Sequence, residues 1–308
     1  MAENPLDPQR LASVRAAVEA YNRSLANGER SSRVRLALVL APLLLVVVIG
    51  AWLLNAGADP FEMWTSPLHV FLYVAALIAG IAGCWWALRK PSSKSPANSL
   101  FPAIFGFIDG FRHSKGEQPA SVKRLPRELT GDFDNARFDD VITGSYRGFA
   151  FELFEVAFRD GQNAASFSGA GLAFEAEQPF PGVLIAGLQT PEAKGFFGRL
   201  FGGAALQPVA SGVAELDTTY VFRTDNPEAA TRLLTGSLAA ALQWLGESWP
   251  DGRALVALKG SDAFVLLPSE RNMFELPAGN VDFERDVRPM MTDTVVMLET
   301  AALLRRLR

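Results

Sequence analysis

Carboxylates are the side chains on which any chemistry in this sequence would have to rest. The 308 residues include 33 Asp and Glu but two His and one Cys. His69 falls in an apolar run and His113 in a polar segment, which leaves a Ser-His-Asp or Cys-His arrangement without a base. Cys84 also sits in an apolar run, so neither His/Cys metal spacing nor an intrachain disulfide is available. Asp132, Asp134, Asp139 and Asp140 form an acidic cluster that fails as a calcium loop of the EF-hand kind. Counting from Asp132, position five is Ala136, position six Arg137 and position twelve Thr143, where a ligand, Gly and Glu are required. The cluster reads as a solvated acidic loop.

Glu152 and Glu155 interrupt an otherwise apolar strand, Phe149 to Phe158. Three apart, they point to opposite faces and cannot act as a paired acid and base. Glu155 shares its face with Phe149, Phe151 and Leu153, so it is a candidate buried carboxylate, and Arg147 is the expected ion-pair partner. The stretch Gly195 to Gly203 is glycine-rich but lacks the Gly-Lys-Ser/Thr ending of a phosphate loop. With Phe196, Phe197, Arg199, Leu200 and Phe201 it reads either as a contact loop touching a membrane or partner, or as a short helix plugging the core. No catalytic set, metal site or cofactor site is expected from these residues.

The elements that position such residues begin with two apolar runs, Leu36 to Leu54 and Pro67 to Leu88. Neither contains an acidic or basic side chain apart from His69, and each is long enough to cross about 30 Å of hydrocarbon as a helix. Arg30, Arg33 and Arg35 precede the first; Arg89, Lys90 and Lys94 follow the second; the joining loop Asn55 to Ser66 has Asp59 and Glu62 but no Lys or Arg. The positive-inside rule places both termini in the cytoplasm, with Trp52, Trp64, Trp85 and Trp86 as interfacial anchors. Ala56-Gly57-Ala58 resembles a signal-peptide cleavage site, but residues 1–35 are too long for an n-region, so an uncleaved hairpin is expected. Ala75, Ala79, Gly83 and Ala87 make a smooth stripe for close helix approach, either to the first span or to another copy.

Before the hairpin, Pro8 to Ala26 has Leu11, Val14, Val18, Tyr21 and Leu25 at helical spacing, with Asp7 as N-cap. This face either packs on the cytoplasmic domain or the lipid surface, or forms a short coiled-coil seam in a homo-oligomer. After it come a basic Pro/Ser-rich linker, Arg89 to Ser99, the aromatic stretch Leu100 to Phe111, and a polar segment, His113 to Lys123. Leu100 to Phe111 is compatible with lying on the membrane and with being the first buried helix. The divisions are therefore 1–35, an amphipathic helix; 36–88, the hairpin; 89–123, a juxtamembrane linker; and 124–308, a cytoplasmic domain.

In that domain Val141 to Tyr146, the turn Arg147-Gly148 and Phe149 to Phe158 predict a hairpin. Further strands are expected at Gly171 to Ala176 and Gly182 to Gly187 around a turn at Pro179–Gly182. Others are expected at Thr218 to Thr224, and at Ala254 to Leu258 and Ala263 to Leu267 around Lys259–Asp262. Helices are predicted over Asn226 to Gly246, packed across the sheet, and over Phe283 to Leu307. Short turns between strands imply antiparallel pairing, hence an α+β class: a two-helix transmembrane hairpin followed by a mainly antiparallel sheet with packed helices.

Gly144-Ser-Tyr-Arg-Gly148, Phe-Glu-Leu-Phe-Glu155, Gly-Leu-Ala-Phe-Glu-Ala with Pro-Phe-Pro-Gly182, and the Thr-Tyr-Val-Phe-Arg-Thr-Asp-Asn-Pro segment resemble the bacterial family named domain of unknown function 3137. The resemblance covers nearly the whole chain and implies a membrane protein with two N-terminal spans and a cytoplasmic β-rich domain, with no activity to carry over. A net charge of −4 gives no electrostatic footprint for nucleic acid. The expected function is a scaffold or binding module anchored in the bacterial inner membrane, its partner a protein or an anionic lipid headgroup. The alternative is a membrane-surface enzyme that uses carboxylates such as Glu155.

Overall fold

The computed structural model describes residues 5–27, 95–130, 133, 135–159, 165–188, 206–249 and 253–306. Both apolar runs, with His69 and Cys84, lie outside the described residues, and so does the Gly195–Gly203 loop. Among the described residues no helix is long and apolar enough to cross a membrane. The fold class holds: the protein is α+β, with a mainly antiparallel sheet and packed helices. Two compact units are distinguished, one of Met1–Val14, Phe101–Leu276 and Asp282–Arg308, the other of Arg15–Leu100 and Pro277–Val281.

A first helix, α1, spans 8–27. The Asp7 carboxylate accepts from the Gln9 N–H at 3.1 Å, the capping expected there, and Val14 and Val18 on the predicted face are buried. In the smaller unit the Asn22 side chain and the Val281 backbone exchange two hydrogen bonds, at 2.8 and 3.0 Å. Helix α2, Pro96–Ile104, resolves the choice left open for the aromatic stretch: Leu100, Phe101, Ile104, Phe105 and Ile108 are all buried in this chain. Phe105 lies 5.4 Å from Phe111, stacked, and 6.0 Å from Phe274.

Seven strands form one antiparallel sheet, ordered β1-β2-β3-β4-β6-β5 with β7 also on β4. Strand β1, Asp109–Lys115, pairs along β2, Asn135–Tyr146. His113 therefore sits on an edge strand, not in a linker; β1 alternates too little in polarity to announce itself. Strands β2 and β3, Phe149–Arg159, make the predicted hairpin, closed by Arg147 at φ 48° and Gly148 at φ 82°. Two successive positive φ values define the turn whose twist matches its strands.

Strand β4 is the main departure from expectation. It runs unbroken from Ala165 to Leu188, and β7 runs unbroken from Leu255 to Pro268 along it. The segments read as two turns are instead offsets within one ladder. Ala176 to Pro179 are accommodated between the Glu175–Asp262 and Phe180–Gly260 pairs, and Pro181-Gly182 between the Phe180–Gly260 and Val183–Lys259 pairs. Gly182 at φ 140° and Gly260 at φ 58° supply the backbone freedom this needs. One edge of β4 carries β3 and then, past the bend, β6, Tyr220–Thr224, with β5, Gln207–Val209, beyond it.

Residues Thr218 and Thr219 end a short helix, α4, Ala214–Thr219, and do not begin β6; a four-residue helix α3, Arg127–Thr130, precedes β2. The predicted helix over Asn226 to Gly246 is two helices, α5, Pro227–Leu234, and α6, Ser237–Ser248, because Gly236 breaks the run. Asn226 caps α5 as expected, accepting from the Ala229 N–H at 3.2 Å. The chief neighbour of α6 is the last helix, α7, Arg288–Arg305, which itself packs on β4. A π-helical turn, Phe283–Val287, leads into α7, whose Met291, Val295, Leu298 and Ala302 are buried as predicted. On the sheet, Phe154, Phe158, Leu129, Ile185, Ala257, Phe264 and Leu266 share one apolar core.

Candidate functional site

The candidate site grows from an irregularity in the β2–β3 ladder. Phe138 pairs with Val156 and Val141 with Phe154, so Asp139 and Asp140 together face the single residue Glu155. A bulge of this kind re-aims side chains that strict alternation would send to opposite faces. One carboxylate oxygen from each of the three residues lies within 4.8 Å of the others. Asp139 and Asp140 thus belong to a strand, and Asp140 is 2% exposed, which corrects the solvated-loop expectation for these two. Asp132 and Asp134 lie outside the described residues.

Strand β1 brings two basic side chains to the aspartates. His113 Nε2 is 2.6 Å from Asp140 Oδ1. Lys115 Nζ, on the residue that pairs with Asp140, reaches Asp139 Oδ1 at 3.1 Å and Asp140 Oδ2 at 3.8 Å. The hydrogen bond to Asp139 holds the Lys115 ammonium above its ordinary pKa. From the segment after β7, Asn272 Nδ2 donates to Asp139 Oδ2 at 2.9 Å, and Asn272 Oδ1 accepts from the Phe274 N–H at 3.1 Å.

Glu155 is 7% exposed, as its apolar face predicts. One oxygen, Oε1, accepts from the Met273 N–H. Its other oxygen, Oε2, is buried with no hydrogen-bond partner. Arg147 is not its partner, which overturns that expectation: the guanidinium lies in the hairpin turn and reaches Glu299 at 2.6 Å. Tyr146 donates to the same Glu299 oxygen at 2.6 Å, and burial first, then that bond, raises the Tyr146 pKa. Burial pushes Glu155 up to about 7; the Met273 N–H and, more weakly, the Phe274 N–H oppose the shift, and the Asp140 and Asp139 charges add to it. Glu152, by contrast, accepts from the Ser121 N–H at 2.8 Å, a different partner on a different segment.

Asp139 and Glu155 line a cleft of about 210 Å³ with Arg137, Arg159, Ser269 and Asn272. Three carboxyl groups meet beside a cleft that Arg137, Arg159 and Arg271 also line, and burial pushes one of them, Glu155, up to about 7. The chemistry of this arrangement is that of holding a proton or a positive ion. Sequence reasoning found Glu155 because a carboxylate on an apolar face is anomalous. It missed His113, Lys115, Asn272 and Met273, and the one available signal was the pair Asp139-Asp140 interrupting the alternation of a strand.

No family model matches the chain. No curated protein matches it either. Among solved structures, the crystal structure of the mycobacterial trehalose monomycolate transport factor A, TtfA, is similar over 61% of this chain and 87% of that one, at 14% identity and a TM-score of 0.35. At that level of superposition the likeness carries neither a fold assignment nor a function.

Proposed function

We propose that this protein is a binding or scaffolding module anchored in the bacterial inner membrane, with its α+β domain and both termini in the cytoplasm. The observation that carries the reading is the pair of apolar runs, Leu36 to Leu54 and Pro67 to Leu88, fenced by Arg and Lys on the outer flanks of both. The Gly195–Gly203 loop supplies the contact: Phe196, Phe197, Leu200 and Phe201 offer apolar area, and Arg199 suits a phosphate headgroup or an acidic partner.

The test is crosslinking of the full chain in its native membrane, wild type against a Phe196→Ser, Phe197→Ser, Phe201→Ser variant. Adducts that the wild type forms and the folded variant loses are the expected result. Identical adducts from both would remove the loop from the proposal, and a chain recovered in the soluble fraction would remove the anchor.

A further inference from the structure

We propose that Asp139, Asp140 and Glu155 form a binding site for one hard divalent cation, held by carboxylate oxygens where the β2 bulge faces β3. The proposal is independent of the membrane reading and of the contact loop.

The first argument is spacing. Ca²⁺ takes oxygen ligands at about 2.3–2.6 Å, so two ligands across the ion are separated by about 4.6–5.2 Å and adjacent ones by less. Oxygens from all three residues already fall within 4.8 Å of one another. That separation fits the span across a single Ca²⁺ ion. Mg²⁺, at about 2.0–2.1 Å, needs the carboxylates drawn closer.

The second argument is the orphaned oxygen. Glu155 is more than nine-tenths buried, and Oε2 has no hydrogen-bond partner. A buried carboxylate oxygen left unpaired is costly, and native structures seldom keep one without a use. The basic side chains of β1 sit on the two aspartates and leave Oε2 unpaired: Lys115 bridges Asp139 and Asp140, and His113 engages Asp140. Lys115 is also 64% exposed, so its ammonium can swing into water when an ion takes its place.

The third is construction. The three carboxylates come from two paired strands, and the Met273 N–H holds Glu155 in position, so the ligand set is fixed in place before any ion arrives. The cleft beside Asp139 and Glu155 gives an entry path and room for the waters that complete an oxygen shell. The expectation of no metal rested on His/Cys spacing and a contiguous loop motif. A site assembled from a bulge and a facing strand satisfies neither pattern.

The same oxygen could hold a proton instead of an ion, and the experiment separates the two. Full-length protein in detergent, stripped with a chelator that is then removed, is titrated calorimetrically with CaCl₂ and, in parallel, with MgCl₂ against a KCl background. One saturable Ca²⁺ site is expected, weakened about tenfold or more by Glu155→Gln and by Asp139→Asn, since affinity follows the number of ligand charges. Ca²⁺ should also raise the unfolding temperature of the wild type and not that of the variants. Saturable Mg²⁺ binding with the same dependence supports the site for the smaller ion. Absence of saturable binding of either ion to the wild type overturns the proposal. So does binding that both variants leave unchanged. Should Glu155→Gln fail to fold, Asp139→Asn, at the partly exposed position, decides.

Discussion

Replacing Gly182 by Ala tests whether the bend of β4 is clamped as the contacts indicate. Gly182 has φ 140°, and an added Cβ would sit 2.1 Å from Asp225 Oδ1 and 2.9 Å from its Cγ. That carboxylate is occupied. It accepts from the Val183 N–H at 2.7 Å, the Asp225 N–H donates to the Val183 carbonyl at 3.3 Å, and Asn226 Nδ2 donates to the Pro181 carbonyl at 2.9 Å. A non-glycine residue in this region of φ/ψ space costs about 1–3 kcal/mol. Pushing Asp225 off the Val183 N–H forfeits a charge-assisted hydrogen bond worth about 1.5–3 kcal/mol. Gly182→Ala should therefore lose about 2.5–6 kcal/mol. Urea unfolding of the full chain, read by pulse proteolysis of the α+β domain, measures this. The double variant with Asp225→Ala is the sharper measurement: with the carboxylate gone only the backbone strain remains, so the two losses overlap by about 1.5–3 kcal/mol. A single-variant loss below about 1 kcal/mol, or strict additivity in the cycle, would refute the clamp.

Two further predictions are independent of the bend. Glu155 has its pKa raised from 4.5 to about 7 in the folded protein, so the metal-stripped protein keeps this contribution below pH 4.5 and loses it as pH rises through 7. Relative to the non-titrating Glu155→Gln, the wild type should weaken by up to about 3 kcal/mol across that window, and a difference that does not vary with pH would contradict the buried acid. A phosphatase active only outside the cytoplasm, fused after Arg308, should show no activity, and strong activity would reverse the proposed topology.

The hairpin at Arg147-Gly148 was legible because its information is local: alternation on both sides and a residue able to take positive φ. The bends at Pro179–Gly182 and Lys259–Asp262 were not. Proline and glycine mark turns and bulges alike, and only the long-range pairing of these two segments with each other distinguishes them. The helix break at Gly236 was missed for a related reason, since the apolar spacing of Leu234, Leu238 and Leu242 runs straight through it. At the site, Glu155 stood out as a charge on an apolar strand. Its companions did not: Asp139 and Asp140 meet it through a one-residue offset, and Met273 arrives from a distant segment.

The uninterrupted course of β4 also dictates an order of events as the chain folds. The β2–β3 hairpin can close as soon as it is made, and β4 can join it directly. The opposite edge of β4 must wait for β7, whose pairs run from Ala186–Val256 to Gly169–Pro268 and so span the intervening helices. Until Leu255–Pro268 emerges, a nascent chain lacks the strand that pairs along this edge of β4. Chains that terminate before Leu255 should accordingly associate edge to edge, and the slow step in refolding should be the late arrival of β7 on β4.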